Sequence, residues 1–169
     1  STAVTSTINI TPMSDPPIVT TGGTSASYTE NSTAAIIDSD ITISDIDDTH
    51  LDSAIVTISS GFTLGDTLIL VTPGTLNSNF ISDSILYITG NATLTGYETA
   101  LQSITYESSS EDPTKTTDTR TIDWQVIDAA SDVDASEYER SVVMQSTIGI
   151  TALSDAPIVT INPLTASYT

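Results

Sequence analysis

The stretch RTIDWQVID, residues 120–128, alternates its side chains: Trp124 shares one face with Ile122 and Val126. A period of two marks a half-buried β-strand, and it assigns Trp124 to a core rather than to a stacked ligand. The same signature continues outward along the chain. It appears in AIIDSDITIS (35–44), SAIVTISS (53–60), TLILV (67–71), ILYIT (85–89) and SVVMQSTIGIT (141–151). Pro16-Pro17, Gly22-Gly23, Pro73-Gly74 and Gly90-Asn91 fall between these runs and read as turns. TGYETALQSI (95–104) carries good helix formers and predicts a short helical turn leading into a strand around Ile104–Glu107. Short β-branched runs at this spacing predict an all-β, two-sheet Greek-key sandwich with little helix.

A chain of 169 residues is long enough to bury one real core. Lys plus Arg number 3 against 22 Asp plus Glu, a formal charge of -19. Such a surface repels phosphate backbones and anionic headgroups, so nucleic acid is excluded as a partner. No apolar run approaches the roughly 20 residues that span a bilayer, so no direct membrane insertion is expected. The opening STAVTSTINI lacks a basic segment followed by an apolar one, so the chain reads as a mature or excised piece. There is no Cys, and disulfides and thiolate metal sites are excluded.

Residues 8–29 recur at an offset of 140, as INITPMSDPPIVTTGGTSASYT against IGITALSDAPIVTINPLTASYT. Ile8, Ile10, Thr11, Ser14, Asp15, Pro17, Ile18, Val19, Thr20, Ala26, Ser27, Tyr28 and Thr29 each have an identical counterpart. Domains in series give such a pattern. Residues 1–13 read as the last strand of a preceding unit, 14–155 as one complete unit, and 156–169 as the first strand of a following one.

Acidic residues collect where strands end. Asp45, Asp47 and Asp48 follow Ser44, Asp128 closes the Trp124 strand, Asp132 and Asp134 lie just beyond, and Asp15 and Asp155 sit at the two seams. Carboxylates held close together do not all stay ionised without a counter-charge, and Lys115, Arg120 and Arg140 are the only cations. A hard divalent cation with 6–8 oxygen ligands at about 2.3–2.6 Å, namely Ca2+, answers that need. The competing reading is an acidic surface that is simply solvated.

Four short motifs, in order, resemble the cadherin family and its bacterial relatives over roughly residues 14–155. They are Tyr28-Thr29-Glu30-Asn31, Ser44-Asp45-Ile46-Asp47, Val126-Ile127-Asp128, and the seam Ser14-Asp15-Pro16-Pro17, repeated as Ser154-Asp155-Ala156-Pro157. The stretch 94–122, with the abundance of Thr and Ser and the near absence of Lys, is similar to the cadherin-like tandem repeats of giant bacterial (RTX, type I-secreted) surface adhesins. The seam is shorter than the family's acidic seam, and Gly96-Tyr97-Glu98 is the nearest match to its mid-repeat acidic motif. The resemblance implies a cadherin- or immunoglobulin-like sandwich that is exported to the cell surface. Following strand direction, it implies one calcium site from Asp15, Asp45, Asp47 and Asp128, and a second from Glu30, Glu98 and Asp155 that the next unit completes. The implied partners are adjacent repeats of the same protein, end to end, and a homotypic or host-surface ligand.

The expected function is therefore that of a calcium-rigidified extender repeat in cell adhesion or biofilm attachment. Three other readings compete. Against an enzyme, the only His, His50, stands in a polar loop, and no Gly-x-Ser-x-Gly elbow or phosphate loop occurs. A calcium-dependent glycan-binding module would need exposed aromatics, with Phe62, Phe80, Tyr97 and Tyr106 as candidates. A filament or surface-layer subunit would use residues 1–13 to complete a neighbour's sheet.

Overall fold

A computed structural model describes residues 1–9, 14–23, 25–129, 138–157 and 159. The chain forms β1 (Ile18–Thr20), β2 (Ala26–Thr29), β3 (Ala35–Ile36), β4 (Thr42–Ser44), β5 (His50–Ser60), β6 (Asp66–Leu70), β7 (Asn77–Ser82) and β8 (Ile85–Thr93). Helix α1 (Leu94–Gln102), β9 (Ile104–Ser108), β10 (Thr119–Asp128) and β11 (Met144–Thr151) follow. The fold is an all-β sandwich. One sheet has the order β2-β11-β10-β5-β8-β7; a second has β3-β9-β6; β1 and β4 form a short pair.

The alternation read from the sequence is the alternation of burial. In β10, Arg120, Ile122, Trp124 and Val126 are all buried. Ile122, Trp124 and Val126 share one continuous core with Val56, Ile58, Leu86, Ile88, Leu68, Tyr106 and Ile148. Trp124 is fully buried, and its indole N–H donates to Ser146 Oγ at 3.0 Å, so its one polar atom is satisfied inside. Ser146 in turn donates to Asp38 at 2.7 Å.

Several local expectations need correction. The run 35–44 is not one strand. It contributes β3 to one sheet and β4 to another pair, because Asp38 turns the chain between them and accepts from the amides of Gly22 and Asp40. Gly90-Asn91 is not a turn but lies inside β8, where Gly90 takes φ 132°. Strand β7 follows the Pro73-Gly74 turn and carried no alternation to announce it: all six of its residues are exposed. The helical turn is a full helix. Thr93 caps it by accepting from the Gly96 amide at 3.1 Å, and Tyr97, Ala100 and Leu101 are its buried face.

Among the described residues, all elements fall between Ile18 and Thr151. Of residues 1–13, read as the last strand of a preceding unit, residues 1–9 form no strand within this chain and are exposed, and residues 10–13 lie outside the described residues. Of the stretch 156–169, only Ala156, Pro157 and Val159 are among the described residues.

Strand direction sets the two ends. β10 runs from Thr119 to Asp128, and antiparallel β11 returns so that Gly149 lies opposite Thr119. β2 runs parallel to β11 and ends at Thr29 beside Thr151. Asp128 is therefore at one end of the sandwich, and Glu30 with the exit of β11 is at the other. A strand of this length separates them by about 30 Å.

Candidate metal centre

The first acidic group is built on the loop from β4 to β5. Asp45 Oδ1 accepts the amides of Asp47 at 3.2 Å and Asp48 at 3.1 Å, a tight local turn that side chains of this type favour. The turn brings carboxylate oxygens of Asp45, Asp47 and Asp48 within 4.8 Å of one another. β10 then delivers Asp128, whose register partner is Leu51 at the start of β5. Ser14 Oγ lies 3.4 Å from Asp48 Oδ2 and 3.5 Å from Asp128 Oδ2 and bridges the two. The amide of Asp15 donates to Asp47 Oδ2 at 3.1 Å. Asp15, through its backbone amide, and Asp128, through Ser14, thus lie beside this loop, while the carboxylates with mutually close oxygens are those of Asp45, Asp47 and Asp48.

Burial dominates the electrostatics of this group, and like charge adds to it. Burial pushes the Asp128 carboxyl up to about 6; the Glu139 amide opposes that rise, and the charges of Asp48 and Asp45 add to it. Asp45 is raised too, first by burial, against the opposing amides of Asp48 and Asp47, with Asp47's carboxylate adding to the rise. Asp45 Oδ2 is buried and has no hydrogen-bond partner.

The second group, at the opposite end, consists of Glu30, Glu111 and Asp155, again with oxygens within 4.8 Å of one another. The Glu30 side chain is almost wholly buried, at 2% exposure. Its amide donates to Thr151 O at 2.9 Å, and its Oε2 accepts the Leu153 amide at 2.7 Å. Its Oε1 is buried with no partner. Glu111 arrives on the loop between β9 and β10, which Arg120 holds by donating to Pro113 O and to Thr117 O.

Glu98 is not part of that group. Its Oε1 accepts the Ile43 amide at 2.8 Å and ties α1 to β4. Glu111 stands where the family motif had suggested Glu98. Its signal in the sequence was the acidic pair Glu111-Asp112 in a Ser-rich loop, far in sequence from either seam. Asp48 belongs to the first acidic group as well, although only its neighbours had been assigned as ligands. Asp132 and Asp134 lie outside the described residues.

Both groups offer only hard oxygen donors. Oxygens within 4.8 Å of one another can share one ion bound at about 2.3–2.6 Å, and each group holds a buried oxygen without a partner among the described residues. The two groups are therefore able to hold a metal ion. His50, by contrast, is exposed, with Nδ1 2.9 Å from Thr49 Oγ1. Tyr97 and Tyr106 are fully buried, so they are not a ligand-stacking surface. No protein-family model, no curated protein and no solved structure matches this chain.

Proposed function

We propose that the chain is a calcium-stiffened structural repeat of a cell-surface adhesin, an extender that holds a distal binding domain away from the cell. The observation that supports this reading most is the position of the two carboxylate groups. Each lies at the end of the sandwich where the offset-140 repeat puts a junction, and each keeps a buried oxygen without a partner.

Ser154-Asp155 repeats Ser14-Asp15. In this chain Asp155 groups with Glu30 and Glu111 of the sandwich before it, while Ser14 and Asp15 bond to Asp47, Asp48 and Asp128 of the sandwich after them. One junction would then combine both halves. Glu30, Glu111 and Asp155 of one unit meet the counterparts of Asp45, Asp47, Asp48 and Asp128 in the next. Neighbouring domains joined by a short linker swing by default. Carboxylates converging from both sides repel each other until a divalent ion is shared between them, and sharing it fixes the angle. Pro16 and Pro17 narrow the freedom of the linker further. Calcium suits a loop-built site of irregular geometry better than magnesium, which demands a near-octahedral shell. An extracellular address fits an affinity of about 10⁻⁴–10⁻³ M.

The test is small-angle scattering on a chain of two consecutive units, in calcium and in chelator. Calcium should lengthen and stiffen the particle, and Asp45→Asn with Asp47→Asn in the second unit should abolish the change. Identical scattering in both conditions would sink the proposal.

A further inference from the structure

A cleft of about 250 Å³ opens between the margins of the two larger sheets. Its sides are β6, an edge of the three-stranded sheet, and β7, an edge of the six-stranded one. Phe80 of β7 stands opposite Leu86 of β8, and cross-strand partners share a face. Leu86 is buried in the core, so Phe80 lies on the core side of its sheet, yet it is 50% exposed. A phenyl ring on that side is ordinarily covered by the opposing layer. Here it lines the mouth of the cleft instead.

The floor of the cleft is fixed by the protein's own bonds. Asp66 is closed on both oxygens by Arg120, Tyr106 and the Thr63 amide. Gly65 beside it takes φ 106°, and a Cβ there would come within 2.9 Å of the Ser110 amide nitrogen. That approach lets the Ser109 amide donate to Gly65 O at 3.0 Å, which joins the β5–β6 turn to the loop after β9. A site made this way needs no ordering when a ligand arrives.

The two walls differ in chemistry. Phe80 and Leu64 form an apolar side, with Leu64 79% exposed. Asp83, Thr67 and Ser109 supply a carboxylate and two hydroxyls. Asp83, at the turn from β7 to β8, is exposed and has no hydrogen-bond or ion-pair partner among the described residues. We propose that this cleft binds one ring of a neutral saccharide, a hexopyranose of a glycan. An anion is refused: no Lys or Arg lines the cleft, the chain carries -19, and the nearby Arg120 is wholly buried and committed to Asp66, Pro113 O and Thr117 O. A purely apolar ligand would strip water from Asp83 and return no hydrogen bond. A pyranose ring has one C–H face to lay on Phe80 and a rim of hydroxyls to donate to the Asp83 carboxylate. Pockets for drug-sized ligands run to about 300–1,000 Å³, so this one seats a single ring. Each site is weak, and units in series multiply the hold. The inference goes beyond the extender role: the flank of the sandwich itself grips sugar, whether or not the ends hold calcium.

The test is a titration of the isotope-labelled chain with the methyl glycosides of glucose, galactose, mannose and N-acetylglucosamine, read by NMR in chelator and in calcium. At least one of them should shift the amides of Thr67, Phe80, Asp83 and Ser109 saturably. The affinity should be the same in both conditions and at low and high salt, because a neutral ligand is not screened. Phe80→Leu keeps an apolar side chain without the ring, and Asp83→Asn keeps the shape without the charge. Each should weaken binding about 10-fold, while Phe80→Tyr retains it. Glu30→Gln, at the calcium end, should leave it unchanged. No saturable shift from any of these glycosides overturns the proposal. So do shifts that persist in both Phe80→Leu and Asp83→Asn, and shifts that appear only in calcium. Shifts of the same amides by tetralysine and by none of the glycosides overturn it too, and make the cleft a site for cations.

Discussion

Asp66 and Asp128 are both carboxylates taken out of water, and the protein treats them in opposite ways. Asp66 is 3% exposed. Arg120 donates to it through Nε at 2.7 Å and Nη2 at 3.4 Å, Tyr106 through its hydroxyl at 2.6 Å, and Thr63 through its amide at 2.8 Å. Asp128 is 0% exposed and faces other acids, with one short amide bond from Glu139 at 2.7 Å and a shared hydroxyl at Ser14. Arg120–Asp66 is the one salt bridge among the described residues. Lys115 and Arg140 stay on the surface. One buried carboxylate is therefore neutralised by the protein's own cation, and the other stands among acids with no ion pair among the described residues.

The largest effect should come from the internal pair. Arg120→Met strands the Asp66 carboxylate in the core and is expected to cost about 3–5 kcal/mol, measured by chemical denaturation in chelator. Arg120→Met combined with Asp66→Leu should cost less than Arg120→Met alone, because no unpaired charge remains. A loss under about 1 kcal/mol for the single change would mean that Asp66 does not depend on Arg120.

Next in size is the response of the ends to metal. Calcium at about 100 times its dissociation constant should stabilise the fold by about 2.7 kcal/mol for each filled site, read as a rise in melting temperature over the chelated protein. Asp45→Asn with Asp47→Asn should remove the share of the first acidic group and keep that of the other. The same rise in the double variant would show that the Asp45 end holds no ion.

The Asp128 end should also respond to acidity. The Asp128 carboxyl is raised from 3.8 to about 6 in the folded chain, so the folded state holds its proton more tightly than the unfolded state does. The stability this contributes is complete below about pH 4 and is lost as pH rises through about 6. In chelator, Asp128→Asn should flatten that part of the stability profile. In calcium the dependence should reverse, since protons compete with the ion for the same oxygens. An identical profile for wild type and variant in chelator would remove Asp128 as the source.

The sequence showed the Asp45 end well and the other end poorly, for a physical reason. Asp45, Asp47 and Asp48 are neighbours in the chain, and a short turn suffices to bring them together. Strand direction then adds Asp15 and Asp128. Glu30, Glu111 and Asp155 come from three distant segments, and their meeting depends on Arg120 gripping the loop that carries Glu111. Nothing local in that loop records the grip. The strands followed the same rule. β5 and β10 bury one face and so alternate visibly, whereas β7 is exposed on every residue and has no pattern to read. Asp38 broke the run 35–44 through bonds to residues before and after it, which alternation does not encode.

The smallest effect distinguishes the acid suggested by the family motif from the one the structure supplies. Glu30→Gln keeps the shape of the side chain and an acceptor for the Leu153 amide, and it removes a negative charge whose Oε1 has no partner. In chelator its stability should stay within about 1 kcal/mol of wild type. In calcium it should lose the increment belonging to its end of the molecule, because a neutral amide is a weaker ligand than a carboxylate. Glu98→Gln should leave stability in chelator and the calcium increment both unchanged: the oxygen that meets the Ile43 amide remains an acceptor, and the residue stands apart from both acidic groups. Calorimetric titration of the two variants side by side reads the difference. If Glu98→Gln lowers calcium uptake and Glu30→Gln does not, the second site has been assigned to the wrong glutamate, and the loop carrying Glu111 loses its part in the junction.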